Sequence, residues 1–306
     1  MIRPTKIREL LLTRATSEQR APHLSAASGL VNIDSTLYVV ADDENHLGVF
    51  SADNHMPGDL IRLFEGTLPA KTKQRKAEKP DLETLTHLPA FAGFAYGALL
   101  ALGSGSKPNR ATGVLLGLGA NGQVNTAPQH IDFASLYDDL RNEFEVLNIE
   151  GAVVSGDDFM LLQRGNKGSK NGLIRFPIAA FLSDLSAGKA PRLHFAPTSR
   201  IVDLGNVNDV PLCFTDGAAL ANGALLFTAV AEDTDNAIDD GACKGSAIGI
   251  INADGKIARM ERIDPAYKVE GVVASIRDQH IHVQLVTDGD DASKPAWLLS
   301  AVLPWS

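Results

Sequence analysis

Aromatic residues are scarce, at 6% of the 306 residues, and cysteine appears only twice, as Cys213 and Cys243. Two thiols 30 positions apart make no metal-ligand spacing and need not pair, so both read as buried filler. A basic excess is missing as well. The net charge of −9 argues against nucleic acid as a partner, because phosphate binding needs a basic face. No apolar run approaches the length of a membrane span. The start of the chain offers only Leu10-Leu11-Leu12 before Thr13-Arg14, too little for the apolar core of a signal peptide, and the expected location is the cytoplasm.

Several motifs are absent or fail on context. No Gly-x-Ser-x-Gly elbow occurs, which argues against a serine hydrolase of that type. Gly103 to Pro108 lacks the P-loop spacing, and the glycine-rich Gly117 to Gly122 is followed by Gln123 to Pro128, which cannot open a helix. The acidic run from Glu232 to Gly241 fails as an EF-hand, with Ala237 at the fifth position and no glutamate at the twelfth. The WD and Kelch signatures are missing too.

What is present is a repeat. Asn148-Ile149-Glu150-Gly151-Ala152-Val153-Val154 leads through a turn into Phe159 to Asn166; the same order of acid, small residue, apolar run, turn and second apolar run returns at Asp216-Gly217 and Glu270-Gly271. Weaker copies begin at Ser28-Gly29 and Glu83-Thr84. The five anchors Ser28, Glu83, Glu150, Asp216 and Glu270 are 55, 67, 66 and 54 residues apart, and re-entering at Met1 the step from Glu270 back to Ser28 is 64. That wrap-around value lies inside the range of the others, as a closed ring requires and a linear array does not. The expected fold is therefore an all-β, single β-propeller domain over residues 1–306, with five blades. Six is the alternative, since the two long steps have room for a degenerate unit.

Each unit reads as about four short strands, with apolar residues alternating or running for four to eight positions between Gly, Asn and Asp turns. In the first unit these are 29–33, 36–41, 47–51 and 60–64. Ile131 to Leu140 and Ile178 to Leu185 carry helical spacing, the first with Asp132 as a cap. The last unit stops one strand short after Trp297 to Leu303, and Ile7 to Leu12 is expected to supply the missing strand and close the ring.

The strings Asn148 to Ala152, Gln163-Arg164-Gly165-Asn166, Phe214 to Ala218 and Ala231-Glu232-Asp233-Thr234 are similar to those of an uncharacterised family of bacterial β-propeller proteins. More remotely, the acid-Gly opening resembles the phytase-like esterase and gluconolactonase-type propellers, a resemblance that implies a divalent-metal ligand at the channel mouth. Ser28 departs from that pattern, standing where the first unit would carry its acid.

In a propeller the start of each inner strand and the end of the second strand share one face. This gathers Glu150 with Arg164 and Asn166, Asp216 with Glu232 and Asp233, Glu270 with Asp288, Ser28 with Asp42 and Asp43, and Glu83 with Ser104 and Ser106 into one polar mouth. Converging carboxylates suit Ca²⁺ or another divalent metal. Glu150, Asp216, Glu232 and Glu270 are the candidate ligands, and Glu150, Arg164, Asp216 and Glu270 the candidate catalytic set. The competing reading makes each anchor acid an acceptor of backbone N–H groups from the next blade. Arg164 either pairs with Glu150 or grips an anionic ligand. Lys71 to Lys76 with Lys79 is the one basic cluster, either a solvated loop or a lid. His280, His282 and Gln284 share one strand face, which suits a metal pair or a polar, hydrogen-bonded face. Two function classes follow: a metal-dependent hydrolase of a phosphoester, ester or lactone, and a non-catalytic propeller that binds a small-molecule ligand or a protein at its mouth.

Overall fold

The computed structural model describes residues 1–165, 169–189, 198–234 and 241–305. Five four-stranded antiparallel sheets are found among them. Blade one is Ala27–Ile33, Thr36–Ala41, His46–Ser51 and Asp59–Arg62; blade two is Leu82–Leu88, Ala98–Gly103, Thr112–Gly117 and Gln129–Asp132. Blade three is Ile149–Ser155, Asp158–Gln163, Gly172–Pro177 and Thr198–Ile201, and blade four Cys213–Ala219, Leu225–Asp233, Ala242–Ile251 and Ile257–Arg262. Blade five takes Val269–Arg277, His280–Thr287 and Trp297–Pro304 from the end of the chain and Thr5–Glu9 from its start. The five inner strands pack in the order one, two, three, four, five and back to one, so the ring is closed and has five blades.

The closing strand is Thr5–Glu9 rather than Ile7 to Leu12, with Thr5 opposite Ser300 and Glu9 opposite Trp297. Leu10 and Leu12 leave the ladder to bury their side chains between blades five and one beside Leu24. Apolar burial at that interface outweighs two more rungs of edge pairing. The core divides into five clusters, one between each pair of neighbouring blades. This is the consequence of period-two alternation: each blade buries both faces, one against each neighbour.

Among the described residues, three α-helices decorate the ring. Helix α1, Thr72–Glu78, lies where the basic cluster reads as a loop. Helix α2, Ala134–Leu140, buries Leu136, Tyr137 and Leu140 against blades two and three. Asp132 stands one residue ahead of its cap position, and its Oδ1 still accepts the Ala134 N–H at 2.9 Å. Helix α3, Ile178–Ser186, inserts Phe181 onto Phe159 with ring centroids 3.8 Å apart. A two-residue hairpin, Asn206–Val207 with Val210–Pro211, bridges blades three and four and has no counterpart in the sequence reading.

Candidate functional site

Every inner strand carries a register shift at its anchor: between Ala27 and Gly29, Leu82 and Thr84, Ile149 and Gly151, Phe214 and Asp216, and Val269 and Val272. A bulge leaves one residue unpaired and re-aims its side chain. Ser28, Glu83, Glu150 and Glu270 fall inside the bulge; in blade four it holds Thr215, and Asp216 follows. The glycine after the anchor has its own cause. A Cβ on Gly29 would lie 2.6 Å from the Leu85 nitrogen, and one on Gly271 would lie 2.7 Å from the Leu30 nitrogen. Neighbouring inner strands approach too closely there for a side chain.

Glu150, Asp216 and Glu270 are buried, as are the residues that come to meet them. Arg164 spans two blades, with Nη1 3.3 Å from Glu150 Oε1 and Nη2 2.6 Å from Glu232 Oε2. Lys268 reaches Glu232 Oε1 at 3.1 Å, Asp288 at 3.1 Å and Asp290 at 2.7 Å. Glu232 is thus turned to two cations, one on each oxygen. On the far side, Lys79 bridges Asp42 and Asp81, and Arg110 donates to Asp81 at 2.8 Å. Arg75, in α1, is buried on Glu44 at 2.9 Å and donates to the Asp43 carbonyl at 2.7 Å. The basic cluster is therefore neither a solvated loop nor a lid at Arg75 and Lys79, because carboxylates of blades one and two draw both cations inward.

Among the described residues, charge does not balance. Asp42, Asp81, Glu83, Glu150, Asp216, Glu232, Glu270 and Asp288 face Lys79, Arg110, Arg164 and Lys268, eight carboxyls against four cations. Burial pushes the Glu150 carboxyl up to about 7; Arg164 opposes the rise, while Asp81 and Glu232 add to it. Burial raises Asp42 to about 6 against the pull of Lys79, and Asp288 to about 7 against that of Lys268. Glu83, Asp216 and Glu270 are also raised by burial, each with Glu150 as a repelling neighbour. Deep carboxyls short of positive charge hold their protons or take a cation.

The anchor acids differ in their partners. Asp216 Oδ2 accepts the Val272 N–H of the next blade at 2.9 Å, the ring-fixing bond of the structural reading. Its Oδ1, like Oε1 of Glu270, is buried with no hydrogen-bond partner among the described residues. Among the described residues, Asp42, Asp81 and Glu83 bring ligand oxygens within 4.8 Å of one another. This triad could hold a metal, in competition with the Lys79 ammonium, which sits on two of the three. Among the described residues, Glu150, Asp216 and Glu270 do not bring three ligand atoms that close together; what they offer is hard oxygen donors, two of them without a hydrogen-bond partner among those residues.

Ser104 Oγ donates to Asp81 rather than to Glu83. Asn166 and residues 235–240, where the acidic run lies, are outside the described residues. Cys213 donates its thiol to the Gly165 carbonyl at 3.2 Å, and burial pushes its pKa up to about 11, which makes it an inert thiol. The sequence reading passed over Asp81, Asn148 and Lys268, each two residues before an anchor. Asn148 Nδ2 donates to Glu150 Oε1, and Asp81 and Lys268 hold the ion pairs above. Each stands one residue ahead of its strand and two before the anchor, and that recurring polar position was the available signal.

A family model for a family of unknown function, DUF6929, matches residues 23–303. The chain belongs to that family. No curated protein matches it. Among solved structures, it is similar to an α-L-arabinofuranosidase from Podospora anserina in complex with cellotriose, at 12% identity and TM-score 0.51, covering 100% of this chain and 98% of that one. A glutaminyl cyclase from Myxococcus xanthus aligns at 12% identity and TM-score 0.49 over 99% and 98%. A putative gluconolactonase aligns at 9% identity and TM-score 0.42 over 99% of both chains. At these identities the likeness concerns the fold.

Proposed function

We propose that the ring of anchor acids takes a divalent cation and that the chain is a metal-dependent hydrolase of a phosphoester, ester or lactone. The observation that carries this reading is the pair of buried oxygens, Asp216 Oδ1 and Glu270 Oε1, that have no hydrogen-bond partner among the described residues, in a site where those residues supply twice as many carboxyls as cations. A bound divalent ion would supply Lewis acidity toward a carbonyl or phosphoryl oxygen. The residues do the rest. Asp216, Glu270 and Glu150 are the ligand set, and Glu83 stands in the same anchor position. Glu150, raised to about 7, is poised to take and return a proton near neutral pH. Arg164, engaged by two carboxylates, holds Glu150 and Glu232 in place as a positioning residue rather than gripping an anion. Among the described residues, a cavity of about 540 Å³ between blades three and four has Glu232 in its lining.

The second reading, a non-catalytic ligand- or protein-binding propeller, is favoured by the internal cations, since Arg164, Lys268, Lys79 and Arg110 neutralise half of the acids without help. Elemental analysis of the purified protein separates the two. Stoichiometric Ca, Mg, Mn or Zn, lost in Glu150→Gln together with hydrolysis of phosphoester, ester and lactone test substrates, is the expected result. Absence of all four metals, even after adding them back, would leave the binding reading.

A further inference from the structure

Past the anchor acids, the inner strands frame a second space at the opposite end of the axis. Its volume is about 880 Å³, and Leu30, Leu85, Ala152, Gly217 and Val272 border its deep end. That size falls inside the roughly 300–1,000 Å³ usual for small-molecule sites. The cavity opens where the inner strands turn back, not where they begin. From the axis it continues over the face of blade five toward blade one.

This extension exists because one blade interface is packed unlike the other four. Tyr38 and Val40 fill the contact between blades one and two, Leu100 and Leu102 that between two and three, Met160 and Leu162 that between three and four, and Leu226 and Val230 that between four and five. Blade five presents Val286 to blade one near the anchor end. The same face then continues with Gln284, half-buried, and His282, exposed. Register places Ser275 beside His282 and Ser300 beside Gln284, so four polar side chains cover the outer part of that face. None of the four is hydrogen-bonded to another protein group among the described residues.

Asn32, Thr86 and His87 line the same space, and burial holds His87 below its ordinary pKa. Charge is confined to the exposed Asp34 and Arg277, one of each sign. Hydroxyl, amide and neutral imidazole groups both donate and accept hydrogen bonds, and they match a ligand whose own groups do the same. A ligand of fixed net charge would meet no excess of counter-charge. Leu30, Val273 and Ala152 add apolar wall for C–H surface.

We propose that the cleft between blades one and five is a binding site for a neutral, polyhydroxylated small molecule of mono- to disaccharide size. The site stands apart from the acid ring and needs no metal. It is tested by titrating the full chain, in calorimetry and ligand-observed NMR, with glucose, galactose, xylose, maltose and cellobiose, and with gluconate and glucose 6-phosphate as charged counterparts. At least one neutral sugar is expected to bind with a dissociation constant below about 10 mM, and more tightly than its charged counterpart. Gln284→Leu keeps the shape and removes the amide; His282→Phe changes an exposed residue that the fold does not need. Each is expected to weaken binding by about three- to tenfold while the protein still melts cooperatively. No binding by any neutral sugar, preference for the charged ones, or unchanged affinity in both folded variants would overturn the proposal.

Discussion

At the start of the five inner strands stand Glu150, Asp216 and Glu270, buried and bracketed by Arg164 and Lys268; at the far end, on the blade-five side, stand the polar residues Ser275, His282 and Gln284, open to a cavity. The same strands make both ends. The bulge separates them: it turns an acid out of the ladder at the start, whereas the hairpin end keeps regular alternation and leaves its polar residues on a sheet face. A buried charge must find a partner or lose its charge, and the acid end is therefore crowded with residues drawn from several blades. Polar groups near water carry no such demand, and the turn end stays unfilled.

The largest effect should come from breaking both ends together. Deleting residues 1–14 removes the strand beside Trp297–Pro304 and the buried Leu10 and Leu12. The truncated chain should show no cooperative melt, or a melting temperature lower by more than about 10 °C; a melt like that of the full chain would contradict the closure.

Next in size is Arg164→Met, which strands Glu150 and Glu232 without their shared cation. Removing one partner of a buried pair costs about 3–5 kcal/mol, measurable by chemical denaturation. A loss below about 1 kcal/mol would mean that the acid end is better solvated than its burial indicates.

The pH dependence follows from the raised carboxyls. A folded-state pKa raised above the unfolded value means that the folded state binds the proton more tightly. Stability from Asp42, Glu150 and Asp288 is then full below about pH 4 and is lost as pH rises through about 6 to 7. In a metal-free buffer the unfolding free energy should fall by several kcal/mol, up to about 7 if the three groups act independently, between pH 5 and pH 8. If the ring takes Ca²⁺, adding it should restore part of that loss at pH 8 and little at pH 5. A flat profile with no calcium effect would count against the cation site.

The smallest effect belongs to the open end. Gln284→Leu should change stability by no more than about 0.5 kcal/mol, against the several kcal/mol of Arg164→Met. Similar costs for the two would remove the contrast between the ends.

Much of the architecture was legible because the repeat is written in local chemistry. The acid-small-apolar order marks the bulge and the close approach of the next strand, and the spacing of 64 across the chain ends announces a closed ring. The pairing of Arg164 with Glu150 could be anticipated as well, since both belong to one hairpin. The boundary of the closing strand was less accessible, because Leu10 and Leu12 suit a strand and a core equally and only the packing at Leu24 decides between them.

The sequence by itself determined the propeller class and the joining of the two chain ends in the last blade, because the repeat is written in local strand and turn chemistry; the choice of five blades over six came from the sheets. Only the tertiary structure decided where the cations go. Lys79 and Arg75 look like a solvated basic run until Asp42, Asp81 and Glu44 arrive from other strands, and Glu232 looks like a free ligand until Arg164 and Lys268 take one oxygen each. The cleft beside His282 and Gln284 is likewise a property of two blades meeting. Pairing and packing across blades are set by which surfaces the closed ring brings face to face, and no local pattern encodes that.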